Sequence, residues 1–200
     1  GGADRDALNG GGGKDRLYGG TGDDTLYFHR DATWADRSPQ STGWGRVDGK
    51  ARSYDVFDGG TGADRLVGTA QDDAILLRDT SLADVATRRI FAVETIDGGA
   101  ANDLIDLMTV PPSQVPTTVA PLSTGVSGFT VFGAGGNDTL IAGEVTATLD
   151  GGSGDDQLVA CRAGNRLIGG TGTDRAYRSA GQVGISSVEY AYSCDWWFLW

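Results

Sequence analysis

Residues 10–27 read GGGGKDRLYGGTGDDTLY, two consecutive blocks of nine with one layout, G-G-x-G-x-D-x-U-x, where U is a large aliphatic residue. Residues 59–67 (GGTGADRLV) and 151–159 (GGSGDDQLV) repeat it. Even in a chain this rich in glycine such a pattern arises by chance roughly 0.02 times over this length, so the matches define a true repeat. Looser copies extend it: 1–9 (GGADRDALN), 68–76 (GTAQDDAIL), 98–106 (GGAANDLID), 133–141 (GAGGNDTLI) and 169–177 (GGTGTDRAY). Residues 160–168 keep the apolar eighth position but carry Asn165 in place of aspartate. Residues 142–150 keep only Leu149, and residues 50–58 keep Asp55 and Phe57. A fixed short period of this kind is the signature of a solenoid.

The composition agrees with the repeat. The 200 residues include 33 glycines, and of 27 acidic residues only three are glutamates (Glu94, Glu144, Glu189). An acidic surface made for solubility would use both acids. Aspartate tied to glycine points instead to turns that carry ligand oxygens. The formal net charge of −11 argues against nucleic acid as a partner, which needs a basic footprint. No run of 18 or more apolar residues occurs, so no transmembrane helix is read. The chain opens at Gly1 inside a repeat, which reads as a processed chain, a fragment, or a product of a route that uses another signal.

The motif resembles the RTX, or hemolysin-type, calcium-binding nonapeptide repeat. The resemblance covers about half of the chain and implies an all-β fold: a parallel β-roll (β-solenoid) with loop insertions. The residue types suit that implication. Calcium takes about 6–8 oxygen ligands and accepts main-chain carbonyls beside carboxylates. Glycine lets a six-residue turn curl with its carbonyls inward. Aspartate at position six brings a short carboxylate to the same place, where glutamate would overshoot. The last three residues form a short strand whose middle side chain points into the core: Leu8, Leu17, Leu26, Leu66, Ile75, Ile105, Leu140, Leu158 and Leu167. The cofactor implied is Ca2+, several ions. Its candidate ligands are the carboxylates of Asp6, Asp15, Asp24, Asp55, Asp64, Asp73, Asp103, Asp138, Asp156 and Asp174. They are joined by turn positions Gly10, Gly12, Gly19, Thr21, Gly59, Thr61, Gly133, Gly135, Gly151, Ser153, Gly169 and Thr171.

Two nonapeptides make one coil in that family, so turns 18 residues apart stack, with each calcium between two stacked turns. This register pairs Asp6 with Asp24, pairs Asp55 with Asp73, and makes a ladder of Asp138, Asp156 and Asp174. The opposite edge there carries Ala147 and Asn165 and is expected to be metal-poor. Asp15, Asp64 and Asp103 lack a partner at 18 residues, so their sites depend on intervening segments looping out. A core of about one large aliphatic per repeat is thin, and stacked aspartates repel without a cation. Folding is therefore expected to be coupled to metal binding.

The repeats divide into an N-terminal block, 1–106, with insertions at 28–49 and 77–97, and a C-terminal block, 124–177. A Pro-rich loop, 107–123, joins them, and 178–200 form a cap and aromatic tail. One continuous solenoid is favoured, because both flanks of the Pro-rich loop carry the same motif. Insertion 28–49 holds Trp34, Trp44 and the sole histidine, His29; it reads as packing over the roll or as a contact loop. Within 77–97, SLADVA suggests a helical turn and RRIFAVETI a strand. The Val93–Gly99 run and Val188–Glu189 are read as edge strands. Cys161 and Cys194 are either disulfide-bonded, which fits an oxidising compartment, or two small apolar residues. The tail CDWWFLW offers Trp196, Trp197, Phe198 and Trp200 for capping the solenoid end, for self-assembly or a protein partner, for a membrane interface, or as a secretion signal.

No catalytic motif is found: a single histidine cannot build H-E-x-x-H, and no nucleophile elbow is present. The expectation is a secreted, non-catalytic calcium-binding protein, extracellular or at the cell surface, with a structural, adhesive or assembly role as a surface-layer, filament or accessory subunit. The alternative is the C-terminal calcium-binding module of a secreted hydrolase or toxin. A weaker third reading is a glycan-binding module using Trp34 or Trp44.

Overall fold

The computed structural model describes residues 1–33, 49–77, 88–107, 128–143, 145–161, 164–178 and 184–194. The five tryptophans (34, 44, 196, 197 and 200) with Phe198, the SLADVA segment, and nearly all of the Pro-rich loop lie outside these residues. Every described element is a strand, numbered here in chain order. Each repeat runs a glycine turn into three strand residues, and alternate repeats face opposite ways, so the strands collect into parallel sheets on two faces.

One face is an eight-stranded sheet of β1 (Ala7–Asn9), β3 (Thr25–Tyr27), β7 (Arg65–Val67), β10 (Thr95–Asp97), β12 (Phe129–Gly135), β14 (Ala147–Ser153), β16 (Arg166–Thr171) and β18 (Ile185–Ser186), in that order. All its neighbours are parallel, and the register places Leu8, Leu26, Leu66, Ile96, Val131, Leu149, Leu167 and Ile185 in one row. From Leu26 to Leu167 this row is fully buried. Each such side chain contributes about 1.5–3 kcal/mol on burial.

The other face is split. Its first part is β2 (Arg16–Thr21), β6 (Val56–Thr61) and β9 (Ile90–Phe91). Its second is β8 (Ala74–Leu76), β11 (Leu104–Asp106), β13 (Thr139–Ile141), β15 (Gln157–Ala160), β17 (Arg175–Arg178) and β19 (Tyr190–Ser193). The insertions cause the split. After the first, the chain returns through β5 (Ala51–Arg52), which pairs antiparallel with β4 (Ala32–Thr33) and forms a parallel bridge to Asp73 before the chain enters β6. After the second, it returns at β9 beside β6, having left from β8. Phe28, Phe57 and Ile90 fill the widened interior at this junction and join the single main core.

Period two along each strand puts position eight inward. Its neighbours point outward, and on the six-stranded sheet Ala74, Leu104, Ile141 and Val159 form a second buried cluster there. Cys161 packs against this cluster and is bonded to Cys194, with a Cα–Cα distance of 5.6 Å. The disulfide ties the end of β15 to the end of β19, past β17, which lies between them in the sheet. The reading of Val93–Gly99 as an edge strand is corrected: β10 lies inside the eight-stranded sheet between β7 and β12. Sequence shows the strand but not its neighbours. Glu189, by contrast, precedes β19, which does end its sheet.

Candidate metal centre: columns of buried aspartates

The sixth residue of each repeat ends its turn and starts its strand, so parallel stacking sets these residues in columns. The first column is Asp6, Asp24, Asp64 and then Glu94. The Asp6 N–H donates to Asp24 Oδ1 and the Asp24 N–H to Asp64 Oδ1, both at 2.8 Å; the Asp64 N–H ends on Glu94 Oε2 at 2.8 Å. On the split face, the Asp15 N–H donates to Asp55 Oδ1 at 2.8 Å. The longer column then runs Asp73, Asp103, Asp138, Asp156, Asp174 and Glu189. Each N–H donates to the next side chain at 2.7–2.9 Å.

Pairing Asp55 with Asp73 is therefore wrong. Asp55 stacks on Asp15, 40 residues away, and Asp73 on Asp103, 30 residues away. Asp24 and Asp64 are likewise 40 apart, and Asp103 and Asp138 are 35 apart. The insertions do loop out and restore the stack. The spacing of 18 holds only where no insertion intervenes.

The other carboxylate oxygen is the informative one. Oδ2 of Asp15, Asp24, Asp55, Asp64, Asp103, Asp138, Asp156 and Asp174 is buried and accepts no hydrogen bond. A buried acceptor left alone costs about 1–3 kcal/mol, more when charged. Repetition at eight places is a design that calls for a cation. In the repeats whose first residue is Gly10, Gly19, Gly59, Gly98, Gly133, Gly151 or Gly169, a methyl on that glycine would overlap the aspartate of the same turn. The leading glycine thus makes room for the carboxylate.

Burial dominates the titration of these groups. It pushes Asp103 up to about 8, Asp156 to about 7 and Asp138 to about 6, with neighbouring carboxylates adding to the rise. Asp55, Asp64, Asp73 and Asp174 are raised for the same first reason. For all of them to be charged together at neutral pH, a compensating cation is needed.

The third-position residues also stack: Thr21 on Thr61, and Gly135, Ser153 and Thr171 in a row. The carbonyls of Thr61, Ser153 and Thr171 each accept one N–H, from Gly22, Gly136 and Gly154 at 2.8 Å. One lone pair remains on each for a metal. No group of three or more His, Cys, Asp or Glu side chains forms a compact cluster among the described residues. Main-chain oxygens must therefore supply much of any coordination shell. An all-oxygen donor set with buried carboxylates fits calcium rather than a nitrogen- or sulfur-seeking metal.

Two functional features were missed from sequence. Position five forms a second ladder running the other way: Asp72 Oδ1 accepts the Asn102 N–H, Asn102 that of Asn137, Asn137 that of Asp155, and Asp155 that of Thr173, at 2.6–2.9 Å. The Asx preference at that position (Asp72, Asn102, Asn137, Asp155) was the available signal. The second feature is the placement of glutamate. Glu94 and Glu189 terminate the two aspartate columns, each taking the final N–H. Beyond Glu94 the first column continues through Phe129, Ala147 and Asn165, whose Oδ1 takes the Ala147 N–H at 2.6 Å. This stretch carries no carboxylate, as the sequence indicated.

Comparison with family models identifies four copies of the RTX calcium-binding nonapeptide repeat, at residues 1–32, 54–77, 130–145 and 148–160. These segments carry the RTX calcium-binding nonapeptide repeat, and the fold that holds them is a parallel β-roll. Residues 98–106 and 169–177 fall outside the matched segments, yet their strands β11 and β17 stack in register with the others. No curated protein and no solved structure matches the chain.

Proposed function

We propose that this chain is a secreted calcium-dependent β-roll whose role is structural, adhesive or in assembly rather than catalytic. The observation that carries the calcium dependence is the row of eight buried carboxylate oxygens without a donor. Calcium supplies the charge that lets stacked aspartates share a core, so ion uptake and folding are one event. RTX repeats are a calcium-binding module, typical of secreted proteins, and that supports the location.

The ends of the roll support an assembly role. β1 and β18 end one sheet and β19 ends another, so each leaves a backbone edge without a strand partner among the described residues. Such edges pair readily with another chain. On β19, Tyr190 and Tyr192 are 49% and 44% exposed, and Tyr192 stacks on Tyr177 at 5.1 Å between ring centroids. An outward aromatic face beside an open edge suits docking of a further β-rich partner or a second copy.

The test is far-UV circular dichroism through a calcium titration, then chelator, with light scattering on the same samples. A coil-to-β transition reversed by EDTA supports calcium-coupled folding, and scattering that rises with it supports assembly. A β signal indifferent to EDTA overturns the calcium dependence. A strictly monomeric calcium-loaded protein at high concentration overturns the assembly role.

A further inference from the structure

The long column begins differently from the way it continues. Residues 68–73 read GTAQDD, with Thr69 and Gln71 where most other turns carry glycine. Neither is among the residues with positive φ. Asp73 is also turned. Its Oδ2 accepts the Thr69 N–H of its own turn at 2.6 Å, whereas Oδ2 at the inner rungs accepts nothing. Its Oδ1 faces Arg30 Nε at 3.6 Å, with the aspartate fully buried.

Beside this turn lies Lys50, one of two lysines in the chain. The Ala51 N–H donates to the Asp72 carbonyl at 2.9 Å, and Ala51 bridges Asp73. Lys50 therefore sits level with Asp72, at the head of the position-five ladder. Its side chain runs inward, only 8% exposed, and its ammonium donates to the main-chain oxygen of Asn102. Burial disfavours its charge, and the carboxylates of Asp72, Asp103, Asp138 and Asp73 offset part of that cost. An ammonium buried this deeply is stable only where carboxylates compensate it. Here it meets a turn carbonyl and several carboxylates, the donor types that calcium uses in this fold.

We infer that the first rung of the long column is neutralised by the chain itself: the Lys50 ammonium and the Arg30 guanidinium do there what calcium does at the inner rungs. That end of the column then closes without metal, and ion loading concerns the rungs of Asp138, Asp156 and Asp174. The inference rests on the reading that those inner rungs take calcium. Both side chains reach the rung from the first insertion and its return strand. The insertion thereby acquires a purpose beyond covering the roll: it delivers two cations to a turn that lacks the usual glycines.

Two measurements test it on the full chain. Crystals grown with calcium and then exchanged with terbium locate ions by anomalous scattering. Ions at the inner rungs, with none contacting the Asn102 carbonyl and Lys50 in place, support the inference. An ion on the Asn102 carbonyl with Lys50 displaced overturns it while leaving the calcium reading intact; ions at no turn overturn both. Equilibrium dialysis against calcium compares wild type with Lys50→Met, whose circular dichroism in calcium first confirms folding. Loss of the tethered cation opens the rung, so about one additional ion per chain is expected. Unchanged or lower stoichiometry in a folded variant overturns the inference. If Lys50→Met does not fold, the anomalous map of the wild type decides alone.

Discussion

Replacing Asp156 by asparagine should act with opposite sign in the two states of the protein. The residue is 1% exposed, at the centre of the long column. Its Oδ1 accepts the Asp138 N–H at 2.8 Å, and an asparagine carbonyl can keep that bond. What is lost is the charge and the acceptor character at Oδ2. Burial first, then Asp138, Asp174 and Asp155, raise this carboxyl from 3.8 to about 7. A rise of that size corresponds to about 4 kcal/mol held against the charged form. Because the folded-state value is raised, the folded chain holds the proton more tightly than the unfolded chain does. Protonation therefore supports metal-free folding fully below the ordinary carboxylate range and ceases to do so as pH rises through about 7. The asparagine side chain has no charge to desolvate. In EDTA at pH 8 the variant gains up to about 4 kcal/mol relative to wild type. In calcium it loses one charged ligand, worth about 1.5–3 kcal/mol, which is roughly a 10–100-fold weakening at the adjoining rungs. The assay is far-UV circular dichroism in two titrations, pH in EDTA and calcium at pH 8. The variant should keep its β signal to higher pH without metal and need more calcium with it. A variant that unfolds at lower pH in EDTA, or needs no more calcium, refutes the assignment of Oδ2 to the cation.

Further outcomes follow from packing and backbone. Leu149→Ala removes a fully buried side chain between Val131 and Leu167 and should cost about 3 kcal/mol, read from the urea midpoint of the calcium-loaded protein. Ala134 holds φ at 74°, so Ala134→Gly should stabilise by about 1 kcal/mol. Gly154→Ala, at φ 125° with its new methyl against the Gly136 carbonyl oxygen, should prevent that pair of coils from stacking; a melting temperature equal to wild type would count against the tight stack. Reducing Cys161–Cys194, which closes a span of 33 residues, should cost about 4 kcal/mol on the chain-entropy account. Hydrogen exchange should place that loss in β17 and β19.

The repeat itself is a local object. A turn of six residues and a strand of three carry their own instructions: glycine where φ is positive or a carboxylate needs room, aspartate at the turn's end, an aliphatic at position eight. The position-eight row is buried as its spacing indicates, apart from Leu8 at the open end of the sheet, which is only half-buried. That each of the ten candidate aspartates ends its turn was legible for the same reason, whereas which aspartate stacks on which was not.

Neighbour relations were legible only where the chain runs uninterrupted. Asp138, Asp156 and Asp174 stack at the spacing read from sequence. Asp55 and Asp73 share that spacing and do not stack, because Asp55 leads into β6 and Asp73 into β8, which lie in different parts of the split face. Interactions that close loops of 30–40 residues depend on where the insertions rejoin the roll, and composition has no measure of that. The roles of Glu94 and Glu189 as column ends, and the arrival of Lys50 and Arg30 at the first rung, belong to the same class. Sequence alone determined the repeating unit and its residue chemistry, since these arise within nine residues. The tertiary structure decided which turns face each other and which cations reach them, since these arise between residues that the chain brings together only when it is folded.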